Sequence, residues 1–147
     1  MIELRVSQAE ELREFCAMEE DAETLPNILP YSLQKHCKEY ERADIVYLSI
    51  YTAVELAGFF ILRLEPDPDS VEFRRIVIAN KGMGIGQSAI PAMEDYCRDQ
   101  LKRTRIWLDV FEFNRRGQHI YEKLGYRFFD SGELDGKKLL FYEKNLA

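Results

Sequence analysis

The chain has 147 residues, of which 46% are hydrophobic and 31% charged, as is typical of a globular protein with one hydrophobic core. A net charge of -6 argues against a nucleic-acid-binding surface, and no apolar run is long enough to span a membrane. The three cysteines are widely spaced and fit neither a disulfide framework nor a zinc pattern. We therefore expect a single domain over residues 1–147 that binds no metal, keeps its thiols free and lies in the cytoplasm.

The predicted elements, in chain order, do not alternate regularly between strands and helices. A strand at 2–6 precedes a helix that begins at Gln8, because Ser7 and Glu10 have capping-box spacing. The remaining predictions are a helix at 32–42, strands at 45–51, 56–64 and 71–79, a helix at 87–101, a strand at 105–111, a helix at 115–124 and strands at 126–130 and 137–144. This order predicts antiparallel pairing in the middle of the sheet and a right-handed parallel crossover over 71–111, not a regular dinucleotide-binding domain.

A glycine-rich connection, Lys-Gly-Met-Gly-Ile-Gly at residues 81–86, lies between a predicted strand and a predicted helix. Glycines let a backbone approach a ligand closely, and the free N–H groups of a helix N-terminus bind phosphate. The spacing matches neither a phosphate loop nor a dinucleotide fingerprint. On its own, the connection is explained equally well as an anion site and as a tight turn. Pro91, in the helix that follows, predicts a kink or displaced first turns.

A second pattern follows the strand at 105–111. Asn114 is placed to cap the next helix, and Tyr121 lies two turns inside that helix on the same face. Gly125 ends the helix and is followed by Tyr126.

Together these two patterns resemble the motifs of the Gcn5-related N-acetyltransferase (GNAT) superfamily. The family's cofactor motif, a basic residue or Gln followed by x-x-Gly-x-Gly/Ala, matches residues 81–86, with Lys81 where Arg or Gln is commoner. The next motif of the family matches Asn114, Tyr121 and the Gly-Tyr pair. The resemblance is close over 71–128 and loose before it.

The resemblance implies an α/β fold of the α+β type, with a single mixed, mostly antiparallel, splayed sheet of about seven strands flanked by about four helices. It also implies N-acetyl transfer from acetyl-CoA, as cosubstrate, to a primary amine by direct attack in a ternary complex. The acceptor is a small-molecule or protein amine, a homodimer is in keeping with the family, and no nucleic acid or membrane takes part. A non-catalytic acyl-CoA-binding domain of the same fold, or another nucleotide-binding domain, is the alternative.

The implied cofactor site lies between two strands that separate. The pyrophosphate rests on the glycine connection, and a backbone N–H of the strand before it binds the thioester carbonyl. The residues expected to bind acetyl-CoA are Ile76, Val77, Ile78, Lys81, Gly82, Met83, Gly84, Ile85, Gly86, Gln87 and Asn114.

Two residues are candidates for the proton transfers of catalysis. Tyr121 is the expected general acid for the thiolate leaving group, with core packing as its structural alternative. Glu72 is the candidate base for the protonated amine, but a salt bridge with Arg74 or Arg75 explains it slightly better. His36 is expected to be solvated, and so is the acidic face of the first helix.

Overall fold

The computed structural model describes residues 2–21, 28–53, 55–79 and 84–146. Seven strands form one sheet: β1 (Ile2–Val6), β2 (Ile45–Thr52), β3 (Glu55–Leu64), β4 (Ser70–Ile78), β5 (Arg105–Phe111), β6 (Arg127–Leu134) and β7 (Lys137–Asn145). Four helices pack on it: α1 (Leu12–Glu19), α2 (Leu33–Tyr40), α3 (Ile85–Asp99) and α4 (Arg115–Lys123). A single 3-10 turn, Ala9–Glu11, precedes α1. The predicted fold class and the predicted order of the elements are confirmed.

The sheet has the strand order β1-β2-β3-β4-β5-β7-β6. Every neighbouring pair is antiparallel except β4 and β5, which are parallel. A parallel pair needs a crossover connection, and α3 supplies it, as the sequence predicts.

The parallel strands β4 and β5 pair over only three residues and then separate. The pairs are Ser70 with Arg105, Val71 with Ile106, and Glu72 with Trp107. Just after this point β4 has a bulge, because Leu62 and Ile61 of β3 lie opposite Phe73 and Arg75 and leave Arg74 unpaired. A bulge bends and twists its strand. The second half of β4 therefore turns away from β5 and opens a gap in the middle of the sheet.

Hydrophobic side chains cover both faces of the sheet. The larger cluster lies under α3 and contains Ile90, Met93 and Cys97 together with Leu108 and Val110 of β5. The smaller cluster lies under α1 and contains residues from α1, β2, β3 and β4: Leu12, Phe15, Ile45, Tyr47, Phe59, Ile61 and Val77. Because the two clusters hold the helices on opposite faces, the gap between β4 and β5 is left uncovered.

Three local predictions differ from the structure. The capping-box contact is made one residue later than predicted, because the Gln8 N–H donates to the Glu11 carboxylate at 2.9 Å, while Ser7 bonds to the Ser49 hydroxyl. Strand β6 continues to Leu134 because its ladder with β7 extends through the predicted turn. Helix α3 begins at Ile85, two residues before the predicted start, and it includes Pro91, where the kink or displacement stays a prediction. In the described ranges, no helix has the length and hydrophobicity that crossing a bilayer requires.

Candidate active site

A cavity of about 680 Å³ fills the gap between β4 and β5. It is lined by the start of α3, the second half of β4, the end of β5, the inner face of α4 and the residues just before α2. A volume of this size is typical of a small-molecule or cofactor site. The separation of two parallel strands has therefore produced the principal concave site in the described part of the chain.

The start of α3 forms one end of the cavity. Gly84 is the N-cap residue, with a left-handed φ of +72°, which a residue with a side chain adopts only at a cost. Ile85, Gly86 and Gln87 of the first turn line the cavity. Their N–H groups precede the first intrahelical bonds, so this end can bind an anion. The expected contacts of Lys81, Gly82 and Met83 lie outside the described residues.

The second half of β4 supplies the adjacent wall. Ile76 and Ile78 line the cavity, whereas the side chain of Val77 points into the smaller hydrophobic cluster on the other face. From Phe73 to Val77, this edge of β4 has no strand paired to it among the described residues. An unpaired strand edge presents backbone N–H and C=O groups, so it can accept an extended ligand.

Helix α4 places Asn114 and Tyr121 on the opposite wall. The Asn114 side chain caps the helix by accepting from the Gly117 N–H at 2.9 Å, and it also lines the cavity. The Tyr121 ring packs edge-on against Phe73, with the ring centroids 5.8 Å apart. Burial raises the pKa of Tyr121 to about 12, and the charge of Asp109 acts in the same direction. The phenol therefore keeps its proton at neutral pH and can donate it.

The Glu72 side chain is held by arginines. Its carboxylate accepts hydrogen bonds from Arg74 at 3.0 and 3.4 Å and lies 3.9 Å from the Arg63 guanidinium. Glu72 is only 9% exposed and does not line the cavity. The ion pair with Arg74 is the salt bridge that the sequence offered as the alternative to a catalytic role. The catalytic role of Glu72 stays a prediction.

Asp109 of β5 is a carboxylate in the cavity that the sequence reasoning did not single out. It follows Trp107 by two residues on the same face of β5, and it lines the cavity together with Tyr121. The position carries no motif of its own. The only signal in the sequence is a charged residue between Leu108 and Val110, in a strand whose one other charged residue is Arg105 at its start.

A buried polar network ties the first two helices to β4, and it overturns the expectation that His36 is solvated. His36 is fully buried, with Nε2 2.6 Å from the Glu19 carboxylate and Nδ1 2.6 Å from the Tyr47 hydroxyl. Glu19 also pairs with Arg75 and accepts from the Tyr31 N–H at 3.1 Å. The polar side chains of His36 and Glu19 can be buried because each keeps its hydrogen-bond partners inside the protein.

The same network fixes one rim of the cavity. The Arg75 guanidinium donates to the Leu29 carbonyl at 2.8 Å and stacks 4.2 Å from the centre of the Tyr31 ring. Leu29 and Arg75 both line the cavity. Glu19 is therefore a structural residue. The acidic face of the first helix, which the sequence predicts to be solvated, is solvated only in part.

A comparison with protein families gives a match that covers most of the chain. The model of the acetyltransferase (GNAT) family matches residues 7–126. The spermine/spermidine N(1)-acetyltransferase of Bacillus subtilis strain 168 is 29% identical over 119 residues, which cover 74% of each chain.

Solved structures share the whole architecture. The spermidine N-acetyltransferase of Vibrio cholerae, in complex with CoA and spermine, superposes with a TM-score of 0.85 at 20% identity and covers 99% of this chain and 95% of its own. An aminoglycoside acetyltransferase in complex with coenzyme A also has a TM-score of 0.85, at 15% identity and with the same coverage. At these identities the likeness establishes the fold.

Proposed function

Because this chain belongs to the acetyltransferase (GNAT) family and is an acetyl-CoA-dependent N-acetyltransferase, we propose that its acceptor is a primary amino group of a polyamine of the spermine and spermidine class. The match over 119 residues to a spermine/spermidine acetyltransferase supports this acceptor. A net charge of -6 favours the approach of a polycation.

The observation that carries the proposal is the cavity between β4 and β5. It is continuous from the α3 N-terminus to the rim at Leu29, so it joins an anion-binding end to an open mouth. We assign the anion end, at residues 84–87, to the cofactor pyrophosphate. We assign the part of the cavity lined by Asp109 to the cationic amine.

The side chains that line this cavity suit direct transfer in a ternary complex. Acetyl-CoA supplies an acetyl thioester. We assign its binding to the β4 edge at 76–78 and to Asn114, in addition to the anion end. Tyr121, whose pKa is raised to about 12, donates a proton to the thiolate that leaves. Transfer also needs a base for the ammonium proton, and Glu72 and Asp109 are the carboxylates beside the gap.

A free-thiol assay with acetyl-CoA and a panel of amines tests the acceptor. The panel contains spermine, spermidine, a monoamine of similar length, an aminoglycoside and a lysine peptide. We expect kcat/KM for spermine or spermidine to exceed that for the monoamine by about tenfold or more, because a polyamine carries additional cations that a protein with a net charge of -6 attracts. A higher kcat/KM for the monoamine, the aminoglycoside or the peptide would reject the polyamine class.

Three further expectations belong to the same proposal. We take residues 1–147 as one domain, supported by a single sheet that runs from Ile2 to Asn145. We place the reaction in the cytoplasm and the protein in a homodimer. Light scattering of the purified chain measures the oligomeric state, and a monomer at micromolar concentration would reject the homodimer.

A further inference from the structure

Asp109 lies on β5 just beyond the point where the pairing with β4 ends. It is the first residue on its face of β5 beyond Trp107, which is the last residue of β5 paired with β4. Its neighbours Leu108 and Val110 are buried in the cluster under α3, so alternation turns Asp109 to the other face of the sheet. Asp109 therefore lies at the point where the two strands separate, across the gap from Tyr121.

The carboxylate of Asp109 has no partner in the described ranges, where it forms neither a hydrogen bond nor an ion pair. The charged or titratable groups around it are Glu72 and Arg74 on β4 and Tyr121 on α4, and Arg75 of β4 and Arg116 of α4 line the same cavity. Its partner on β7 is the uncharged Phe141. Glu72 is already bonded to Arg74, so Asp109 is the one of the two carboxylates that is free to receive a cation.

The surroundings of Asp109 also increase its basicity. Asp109 is exposed to the water of the cavity, and the surrounding protein atoms desolvate its carboxyl in part. This desolvation raises the pKa of its carboxyl, and the charge of Glu72 raises it further, while Arg74 lowers it by less. A carboxylate with a raised pKa is a stronger base.

We propose that Asp109, rather than Glu72, binds the ammonium group of the acceptor and takes its proton. The role rests on the proposed amine acetylation. One ammonium proton passes to Asp109, and the nitrogen lone pair that this frees forms the bond to the acetyl carbon. The carbon–sulfur bond breaks and its electron pair stays on sulfur, which receives a proton from Tyr121. The nitrogen returns a second proton to Tyr121 and keeps the third as the amide N–H, and Asp109 then releases its proton to water.

The variant Asp109→Asn tests the proton transfer through its pH dependence. With spermidine, we expect kcat/KM at pH 7 to fall by about 100-fold. Near pH 10 the loss should shrink to about tenfold or less, because about half of an amine with a pKa near ~10 is then deprotonated without a base, against about one part in a thousand at pH 7. A loss that is independent of pH, or a loss below about threefold at pH 7, would overturn the role.

Failure of the acceptor class is distinguishable from failure of this role. If the wild type does not acetylate spermidine, the polyamine class is wrong, and the pH comparison is made with the best amine of the panel. If the wild type acetylates its amine and Asp109→Asn is unchanged, the base is wrong. Glu72→Gln, run in parallel, should show no loss that shrinks with pH.

Thermal unfolding supplies a readout that does not depend on activity. The raised folded-state pKa of Asp109 means that folding disfavours its ionised form, so the charge lowers stability at neutral pH. Asp109→Asn should therefore leave Tm unchanged or raise it. A fall in Tm of about 5 °C or more would mark the residue as structural and overturn the assignment.

Glu112→Gln is the matched control. Glu112 directly follows β5, is exposed and pairs with Lys138 at 3.4 Å. The substitution Glu112→Gln removes one negative charge close to Asp109 in sequence, but it does not alter the cavity lining. We therefore expect no change in kcat/KM at either pH.

Discussion

Among the described residues, the carboxylates of the core and of the cavity divide into those that neighbouring elements supply with partners and one, Asp109, that has none. Glu19 and Glu94 are buried, and each is bonded to two or more groups from distant elements. Asp109 lies in the cavity with no partner in the described part of the chain. A paired carboxylate in the core stabilises the fold, whereas an unpaired one in a cavity is a cost that a function can explain. Substitutions should therefore separate the two groups by their effects on stability and on rate.

The largest expected effect is that of Glu19→Ala. The change leaves Arg75 and His36 without the carboxylate that both contact. Breaking a buried ion pair by removing one partner costs about 3–5 kcal/mol. We expect the free energy of unfolding, measured in urea, to fall by that amount.

Glu14→Ala is the control for this change, because Glu14 is an exposed residue of the same helix. Its effect should stay within about 0.5 kcal/mol. If Glu19→Ala cost as little as the control, the network would not be a stabilising element.

The second-largest expected effect is a lower kcat in the variant Tyr121→Phe. Removing the hydroxyl should lower kcat by about 100-fold with little change in stability, since the ring and its contact with Phe73 remain. Because the pKa of Tyr121 is raised to about 12, its acid form persists, and kcat of the wild type should not fall through loss of this proton until pH approaches about 12.

Tyr96→Phe is the matched control for the phenol. Tyr96 is a half-buried tyrosine of α3 outside the cavity, and burial raises its pKa as well. Removing the hydroxyl group of Tyr96 should leave kcat unchanged. Equal rates for wild type and Tyr121→Phe would remove Tyr121 from the mechanism.

The smallest expected effect is that of Glu94→Gln. Glu94 accepts from the Tyr126 hydroxyl at 2.8 Å and from Lys144 at 2.9 Å, and Lys144 also donates to the Leu124 carbonyl at the end of α4. The amide keeps one hydrogen bond and loses the charge, so we expect a loss of about 1–3 kcal/mol in unfolding free energy.

The exposed pair of Asp95 with Arg98 on the same helix provides the comparison, and Asp95→Asn should cost less than about 1 kcal/mol. A smaller loss for Glu94→Gln than for Asp95→Asn would contradict the division between paired core carboxylates and exposed ones.

Much of the fold follows from local pattern. Strand β5 has the predicted bounds, 105–111, because apolar residues alternate along it and turn signals flank it. The Asn114 cap and the inward face of Tyr121 follow from helical spacing, which depends only on neighbouring residues. These local rules also place the glycine connection at the start of α3.

Other features depend on contacts between segments far apart in sequence. His36 is buried because Glu19, on another helix, supplies its partner, and an isolated histidine carries no sign of that. The extension of β6 to Leu134 depends on its pairing with β7. In each case the partner, not the local sequence, decides the outcome.

The sequence by itself determined the order of the elements and the family motifs, because periodicity, capping and glycine spacing are local properties. Only the tertiary structure decided which side chains face one another across the gap between β4 and β5. The bulge at Arg74 separates β4 from β5, and this separation turns Asp109 from one charged residue of a strand into an unpaired carboxylate in a cavity. The desolvation and the charges at that point come from β4, β5 and α4 together, so no local pattern could have specified them.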